Sequence, residues 1–244
     1  MSAPIAVHGP ILVLDTATSV AVIALGDANG RPRTVRTWSA GHRHGEEVLF
    51  RIEALLSDAD LVPGDLGAIV VGIGPGAFTG LRVGLATAKT LAHALDIPIV
   101  GVSTGGALLA AVAASGRTPP LALLLPAGPS DRVLVEGGAT ARDGRAAPPT
   151  ARLVPGGAAL GLAPSTAILA VDLEGRAEPE ALALGELARA GLAASLLEAG
   201  AARLARGEAD DAARLVPEYV TLPRGAPPGA ARAEGEVAWS RDRR

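Results

Sequence analysis

We read the chain as an α/β protein of βββαβα order, and three observations in its N-terminal half carry that reading. Apolar runs at 11–15 and 20–25 flank a small polar turn at 16–19, as the strands of a β-hairpin do. At 44–58 the period changes, with Val48, Ile52, Leu55, Leu56 and Ala59 recurring at helical spacing. At 74–82 a glycine-rich stretch, Gly-Pro-Gly-Ala-Phe-Thr-Gly-Leu-Arg, separates an apolar run from a second helical pattern.

Taken in order, the first run ends on Asp15. A second turn at 26–30 leads to a more polar third strand at 33–39, with Val35, Thr37 and Trp38. The helix at 44–58 carries Glu46 and Glu47 in its first turn, where the helix dipole favours negative charge. Pro63-Gly64 breaks the chain ahead of a strand at 68–73. Thr79 is the expected N-cap of a helix over 79–95. Leu81, Leu85, Ala88, Ala92 and Leu95 form its apolar stripe; Gly80, Gly84 and Ala88, four apart, form a second stripe of small residues. Each helical glycine costs about 1 kcal/mol relative to alanine, so two suggest a close contact, with the chain's own sheet or with a partner helix. A strand at 98–102 follows. Three antiparallel strands and then parallel crossovers is the order of a ribonuclease-H-like or actin-like half-domain.

The C-terminal half is less legible. A helix is expected at 103–115, capped by Ser103 or Thr104, and a hairpin at 121–125 and 133–136 echoes the one at 11–25. Residues 140–165, rich in Pro, Gly and Ala, read as loops, 168–171 as a strand, and 180–206 as one or two helices interrupted near Gly191 or Gly200. After Pro223 the composition turns to Pro, Gly, Ala and charge, the signature of a disordered tail. The expected organisation is an N-terminal half-domain over 1–103, a degenerate second copy over 104–223 whose last segment packs back on the first, and a disordered tail at 224–244.

Composition narrows the function classes. A net charge of −3 supplies no global basic field for nucleic acid, and 2% aromatic residues supply few stacking platforms. With no cysteine, disulfides, thiolate nucleophiles and cysteine-ligated metals are excluded. No basic-then-apolar leader is visible, since His8, Gly9 and Pro10 interrupt it. No window reaches the ~18 apolar residues of a membrane span. A cytoplasmic protein is expected.

The glycine-rich turn fits G-x-G-x-x-A over 72–77, but Asp96 precedes the next strand, whereas a dinucleotide site needs an acid at its end. Gly80-Leu81-Arg82 lacks the lysine of a Walker loop. His42 and His44 lie two apart beside Glu46 and Glu47, with no further ligand type clustered there, and no metal site is expected.

Four segments now resemble one family. Leu-Asp-Thr-Ala-Thr at 14–18, His-Gly-Glu-Glu at 44–47, Gly-Pro-Gly-Ala-Phe-Thr-Gly-Leu-Arg-Val-Gly at 74–84 and Pro-Ile-Val-Gly-Val-Ser-Thr at 98–104 are similar to the TsaB (YeaZ) family. Its members are dimerisation subunits of the bacterial machinery that makes threonylcarbamoyladenosine in tRNA. Ala77 stands where the family usually has Ser, and 126–129 reads Pro-Ala-Gly-Pro where Asp-Ala-Arg is common. Val216-Pro217-Glu218-Tyr219-Val220 resembles the family's closing Pro-x-Tyr segment. The resemblance implies an actin-like ATPase fold of two related half-domains and a non-catalytic scaffold paired with a TsaD-like transferase. A TsaE-like ATPase docks on that pair, and tRNA is met through the complex. The catalytic paralogue carries a His-x-x-x-His metal site after the strand matching 98–102; here 103–108 contains no histidine. The resemblance therefore implies no cofactor in this chain, with nucleotide and metal on the partner subunits. The expected partner interface comprises His44, Val48, Leu49, Ile52, Leu56, Phe78, Gly80, Leu81, Gly84 and Ala88, and the same surface is expected to form a homodimer when the chain is alone. Asp15, Thr16 and Ser19 would line a vestigial nucleotide cleft, the alternative for Asp15 being a turn carboxylate satisfied by backbone N–H groups. The competing function is an actin-like kinase or metal-dependent hydrolase active on its own.

Overall fold

The computed structural model describes residues 4–39, 44–118, 120–137 and 148–220. The tail expected at 224–244, the histidine at 42 and part of the loop expected at 140–165 lie outside these residues.

Two sheets share the chain. The first holds β1 (Ile11–Asp15), β2 (Val20–Gly26), β3 (Pro32–Ser39), β4 (Ala68–Gly72) and β5 (Ile99–Val102) in the order β3-β2-β1-β4-β5. β1–β2 and β2–β3 are antiparallel, while β1–β4 and β4–β5 are parallel. α1 (His44–Ser57) joins β3 to β4, α2 (Phe78–Leu95) joins β4 to β5, and α3 (Thr104–Ala114) follows. The second sheet holds β6 (Leu121–Pro126), β7 (Arg132–Glu136), β8 (Thr150–Val154) and β9 (Ala167–Ala170) in the order β8-β7-β6-β9, and α4 (Pro179–Ala205) follows. Again three antiparallel strands precede a parallel one, β9 lying against β6. This is the actin-like, ribonuclease-H-like arrangement in two copies, the second reduced: where the first copy places α1, the second runs through 155–166 without a helix.

The layers follow from burial. β1 and β4 are buried at every position because both faces of their sheet are covered, as parallel strands require. Val48, Ile52, Leu55 and Leu56 of α1 and Leu85, Ala88 and Ala92 of α2 seal one face. The other face packs on α3 and α4, which also cover the inner face of the second sheet. The outer face of that sheet, with Leu124, Leu134 and Leu173, is covered by 155–166 and the start of α4. β3, at the sheet edge, keeps Arg33 and Arg36 exposed, charges that blunt edge pairing.

Three expectations need correction. α4 runs unbroken through Gly191 and Gly200, because these glycines make room for neighbours: a Cβ on Gly191 would lie 2.7 Å from the Cβ of Ala111 on α3. The loop expected at 140–165 contains β8, whose Val154 and Ala151 face the two sides of the sheet that β7 extends. α2 begins at Phe78 with Ala77 at its N-cap, so Thr79 does not cap it. Ser103 does cap α3, its hydroxyl accepting from the N–H of Gly106 at 3.3 Å.

After α4 the chain returns to the first sheet. Asp210 donates its N–H to the Ile99 carbonyl at 2.8 Å and accepts from the Gly101 N–H at 2.7 Å. Leu215 packs on the α1–α2 side, and Glu218 donates its N–H to the Ile73 carbonyl at 2.7 Å. No helix among the described residues is long and apolar enough to cross a membrane.

Candidate functional site

The glycine-rich turn is the joint between the two copies. Gly74 adopts φ +108°, a region that only glycine enters freely. Its N–H donates to the Thr104 hydroxyl at 3.1 Å, and its carbonyl accepts from the Ser103 hydroxyl at 3.2 Å. Three residues on, the Ala77 N–H donates to the Ala17 carbonyl at 2.7 Å. A phosphate cradle needs N–H groups aimed at an open space; here the N–H groups of Gly74 and Ala77 are spent on the protein.

Beneath the turn, Asp15 is fully buried. Its Oδ1 accepts from the Ala17 N–H at 2.8 Å and its Oδ2 from the Thr104 hydroxyl at 2.6 Å. A Cβ on Gly72 would collide with this carboxylate, so glycine there makes the room that Asp15 fills. Burial pushes its pKa from 3.8 up to about 6, against the two hydrogen bonds, which lower it. Asp15 is thus held by one backbone N–H of its own turn and by one hydroxyl from α3. Thr16 is also buried, its hydroxyl donating to the Gly80 carbonyl at 2.7 Å. Ser19 reaches the surface, where its N–H donates to Oδ2 of Asp172 at 2.8 Å and its hydroxyl to Oδ1. Arg189, from α4, holds the same carboxylate at 2.7 Å. The donors at Ser19 that could meet a phosphate thus already meet an internal carboxylate.

The structure redistributes the residues expected at a partner interface. Val48, Ile52, Leu56, Leu81 and Ala88 are buried in the chain's own core, which turns them away from any partner. Gly80 and Gly84 are buried as well, and a Cβ on Gly84 would collide with the Thr16 hydroxyl. The small-residue stripe therefore serves a close approach of α2 to the β1–β2 turn, the intrachain alternative. Leu49 remains outside at 57% exposure, and beside it Phe50 is 70% exposed. Phe50 was not legible as a surface residue because 48–50 is one unbroken apolar run. Phe78 stacks 5.1 Å from Tyr219 and lies under the Arg82 guanidinium at 4.0 Å; Arg82 also donates to the Tyr219 hydroxyl at 3.1 Å. His44 is the first residue of α1. Half-buried Glu218, which accepts from the Ser103 hydroxyl at 3.3 Å, has its pKa raised by burial. Among the described residues no three of His, Cys, Asp and Glu gather as metal ligands would.

The family model "TsaD: tRNA N6-adenosine threonylcarbamoyltransferase" matches residues 37–223. The tRNA threonylcarbamoyladenosine biosynthesis protein TsaB of Bacillus subtilis is 47% identical over 74 residues, 30% of this chain and 31% of that protein. Its counterpart in Escherichia coli is 33% identical over 94 residues, 38% of this chain and 40% of that protein. The matched stretches thus span less than half the length of these curated relatives. Among solved structures, YeaZ from Pseudomonas aeruginosa superposes with a TM-score of 0.66 at 26% identity, covering 86% of this chain and 99% of that one.

Proposed function

The chain belongs to the tRNA N6-adenosine threonylcarbamoyltransferase family, in its TsaB (YeaZ) branch, and from that premise we propose that it is the non-catalytic scaffold subunit of a complex forming threonylcarbamoyladenosine in tRNA. Its partner is a TsaD-like transferase, which holds the metal and nucleotide. A TsaE-like ATPase docks on the pair, tRNA is reached through the complex, and the complex works in the cytoplasm. Alone, the chain pairs with a second copy through the same surface.

The observation that carries the reading is the Leu49–Phe50 pair on the outer side of α1, a helix whose opposite side is already in the core. Adjacent large apolar residues left this open mark a contact surface better than scattered ones do. On α2, which covers the same sheet face, Arg82, Ala86 and Thr90 are exposed four residues apart. The small side chains at 86 and 90 let another helix approach closely. Phe78, Arg82 and Tyr219 add the aromatic and arginine character of interface anchors.

The test is co-purification with the TsaD-like subunit of the same organism. Leu49→Arg/Phe50→Arg leaves the core untouched, so the fold is retained and the complex is lost. A double variant that binds as well as the parent refutes the interface. In a strain lacking TsaB, expression of this chain together with that subunit restores the tRNA modification, and failure of a soluble, co-purifying pair to do so refutes the function.

A further inference from the structure

The outer face of the second sheet has a feature that pairing through α1 and α2 does not use. Where the first copy lays α1 over its sheet, the second has only 155–166, and the thinner cover leaves a cavity of ≈ 430 Å³. Leu124, Leu160, Ile168, Ala181 and Leu184 give it an apolar wall. Arg132, at the start of β7, lines it on the same side of the sheet as Leu134. The Arg132 Nε–H is shut off from solvent and meets no acceptor among the described residues. A guanidinium is always charged and carries five donors in a planar fork suited to a carboxylate; Nε, closed to solvent, does not open onto the cavity, so an acceptor entering it would meet the ends of the fork.

The other polar groups narrow the class. Arg176 lies across the β6–β7 turn, donating to the carbonyls of Gly128 at 3.0 Å and Asp131 at 3.1 Å, and it also borders the cavity. Glu178 and Glu180, both exposed, stand at the mouth beside the start of α4. They balance the two arginines of the lining, which leaves no surplus positive charge for a multiply charged anion such as a nucleoside polyphosphate. A single negative charge on an apolar body satisfies both the arginine and the wall. We propose that this cavity is a binding site for a monocarboxylate with an aliphatic body, its carboxylate on Arg132 and its chain against Leu124, Ile168 and Leu184.

The test is an NMR titration of the full ¹⁵N-labelled chain with butanoate, hexanoate, hexanol and inorganic phosphate. Hexanoate shifts the amides of Ile168, Ala181 and Leu184 saturably, with affinity rising about fourfold for each methylene added beyond butanoate. Hexanol, which lacks the charge, and phosphate, which lacks the chain, bind at least about tenfold more weakly. Arg132→Met weakens hexanoate by about tenfold or more. Ala181→Leu fills the cavity, keeps the arginine and also removes binding; it decides the question alone if Arg132→Met does not fold. Hexanoate binding that equals hexanol binding, survives Arg132→Met, survives Ala181→Leu or does not saturate overturns the proposal.

Discussion

Asp15 makes the stability of this chain fall as pH rises, and the size of the effect can be worked out from its surroundings. The carboxyl is fully buried, and its pKa is raised from 3.8 to about 6. A group held more tightly protonated in the folded than in the unfolded chain contributes stability that is complete below its unfolded pKa. That contribution is lost as pH climbs through the folded pKa. The gap between 3.8 and about 6 corresponds to about 3 kcal/mol, lost between about pH 4 and 6. Set against a total domain stability of about 5–15 kcal/mol, this is a large fraction.

Asp15→Asn isolates the effect. An amide fills nearly the same volume and cannot ionise. Its oxygen still accepts from the Ala17 N–H, but its NH2 cannot accept from the Thr104 hydroxyl. That hydroxyl has to turn and accept instead, at a cost of about 1 kcal/mol. The variant is therefore about 1 kcal/mol less stable than the parent near pH 4 and about 2 kcal/mol more stable above about pH 7. Urea unfolding across that range measures both limbs. Glu218, whose pKa is also raised, contributes a slope of the same sign to both proteins, so the difference between them reports Asp15. Parallel stability curves for parent and variant refute the reasoning.

Other perturbations follow from the same contacts. Gly84→Ala drives a methyl against the Thr16 hydroxyl, and by overpacking it lowers stability by about 1–3 kcal/mol in urea unfolding; the double variant Gly84→Ala/Thr16→Ala recovers part of the loss. Arg189→Met leaves Asp172 without its cation inside a site where the arginine is 9% exposed, costing about 3 kcal/mol, and a double-mutant cycle with Asp172→Ala yields a coupling of at least ~1 kcal/mol. Thr104→Val removes a hydrogen bond that lowers the Asp15 pKa, so in urea unfolding the pH range over which stability is lost begins at the same pH and extends further upward. Leu49→Arg/Phe50→Arg changes monomer stability by no more than ~0.5 kcal/mol in urea unfolding, which separates a folding defect from loss of the proposed complex.

The first copy was legible because each of its elements declares itself locally. Two apolar runs across a short polar turn, a change to helical period and a glycine-rich turn between strand and helix each carry their own signal, and all five strands and two helices formed where those signals lie. The second copy hides what tertiary contacts decide. β8, Thr-Ala-Arg-Leu-Val, lies in a stretch whose Pro and Gly content reads as loop, and it pairs because β7 offers an edge beside it. The glycines of α4 read as breaks because a glycine weakens an isolated helix; at Gly191 the approach of α3 leaves no room for a larger residue. The site was half legible for a related reason. Helical spacing finds the apolar stripe of α1, but a core stripe and a contact stripe look alike in sequence. Only the positions of the sheet show that Val48, Ile52 and Leu56 face inward and that Leu49 and Phe50 do not.

The same distinction accounts for the glycine-rich turn. In sequence it invites a ligand, because N–H groups at a strand-to-helix junction bind anions well. In the folded chain Gly74 is tied to Thr104, Ala77 to Ala17, and the nearby Ser19 to Asp172. Thr104 is the first residue of α3, which packs between the two sheets, and Asp172 follows β9 of the second. Gly74 and Ser19 thus connect the first sheet to the elements that build or support the second, while Ala77 ties the turn to the β1–β2 turn of its own copy, so that a change at the turn is felt as a change in how the copies are joined. The outer side of α1, reached by none of these ties, is left to present Leu49 and Phe50. A junction spent on holding the halves together, with Leu49 and Phe50 open on the outer side of the helical layer, is consistent with the proposed scaffold role: a fixed frame inside and apolar residues left outside.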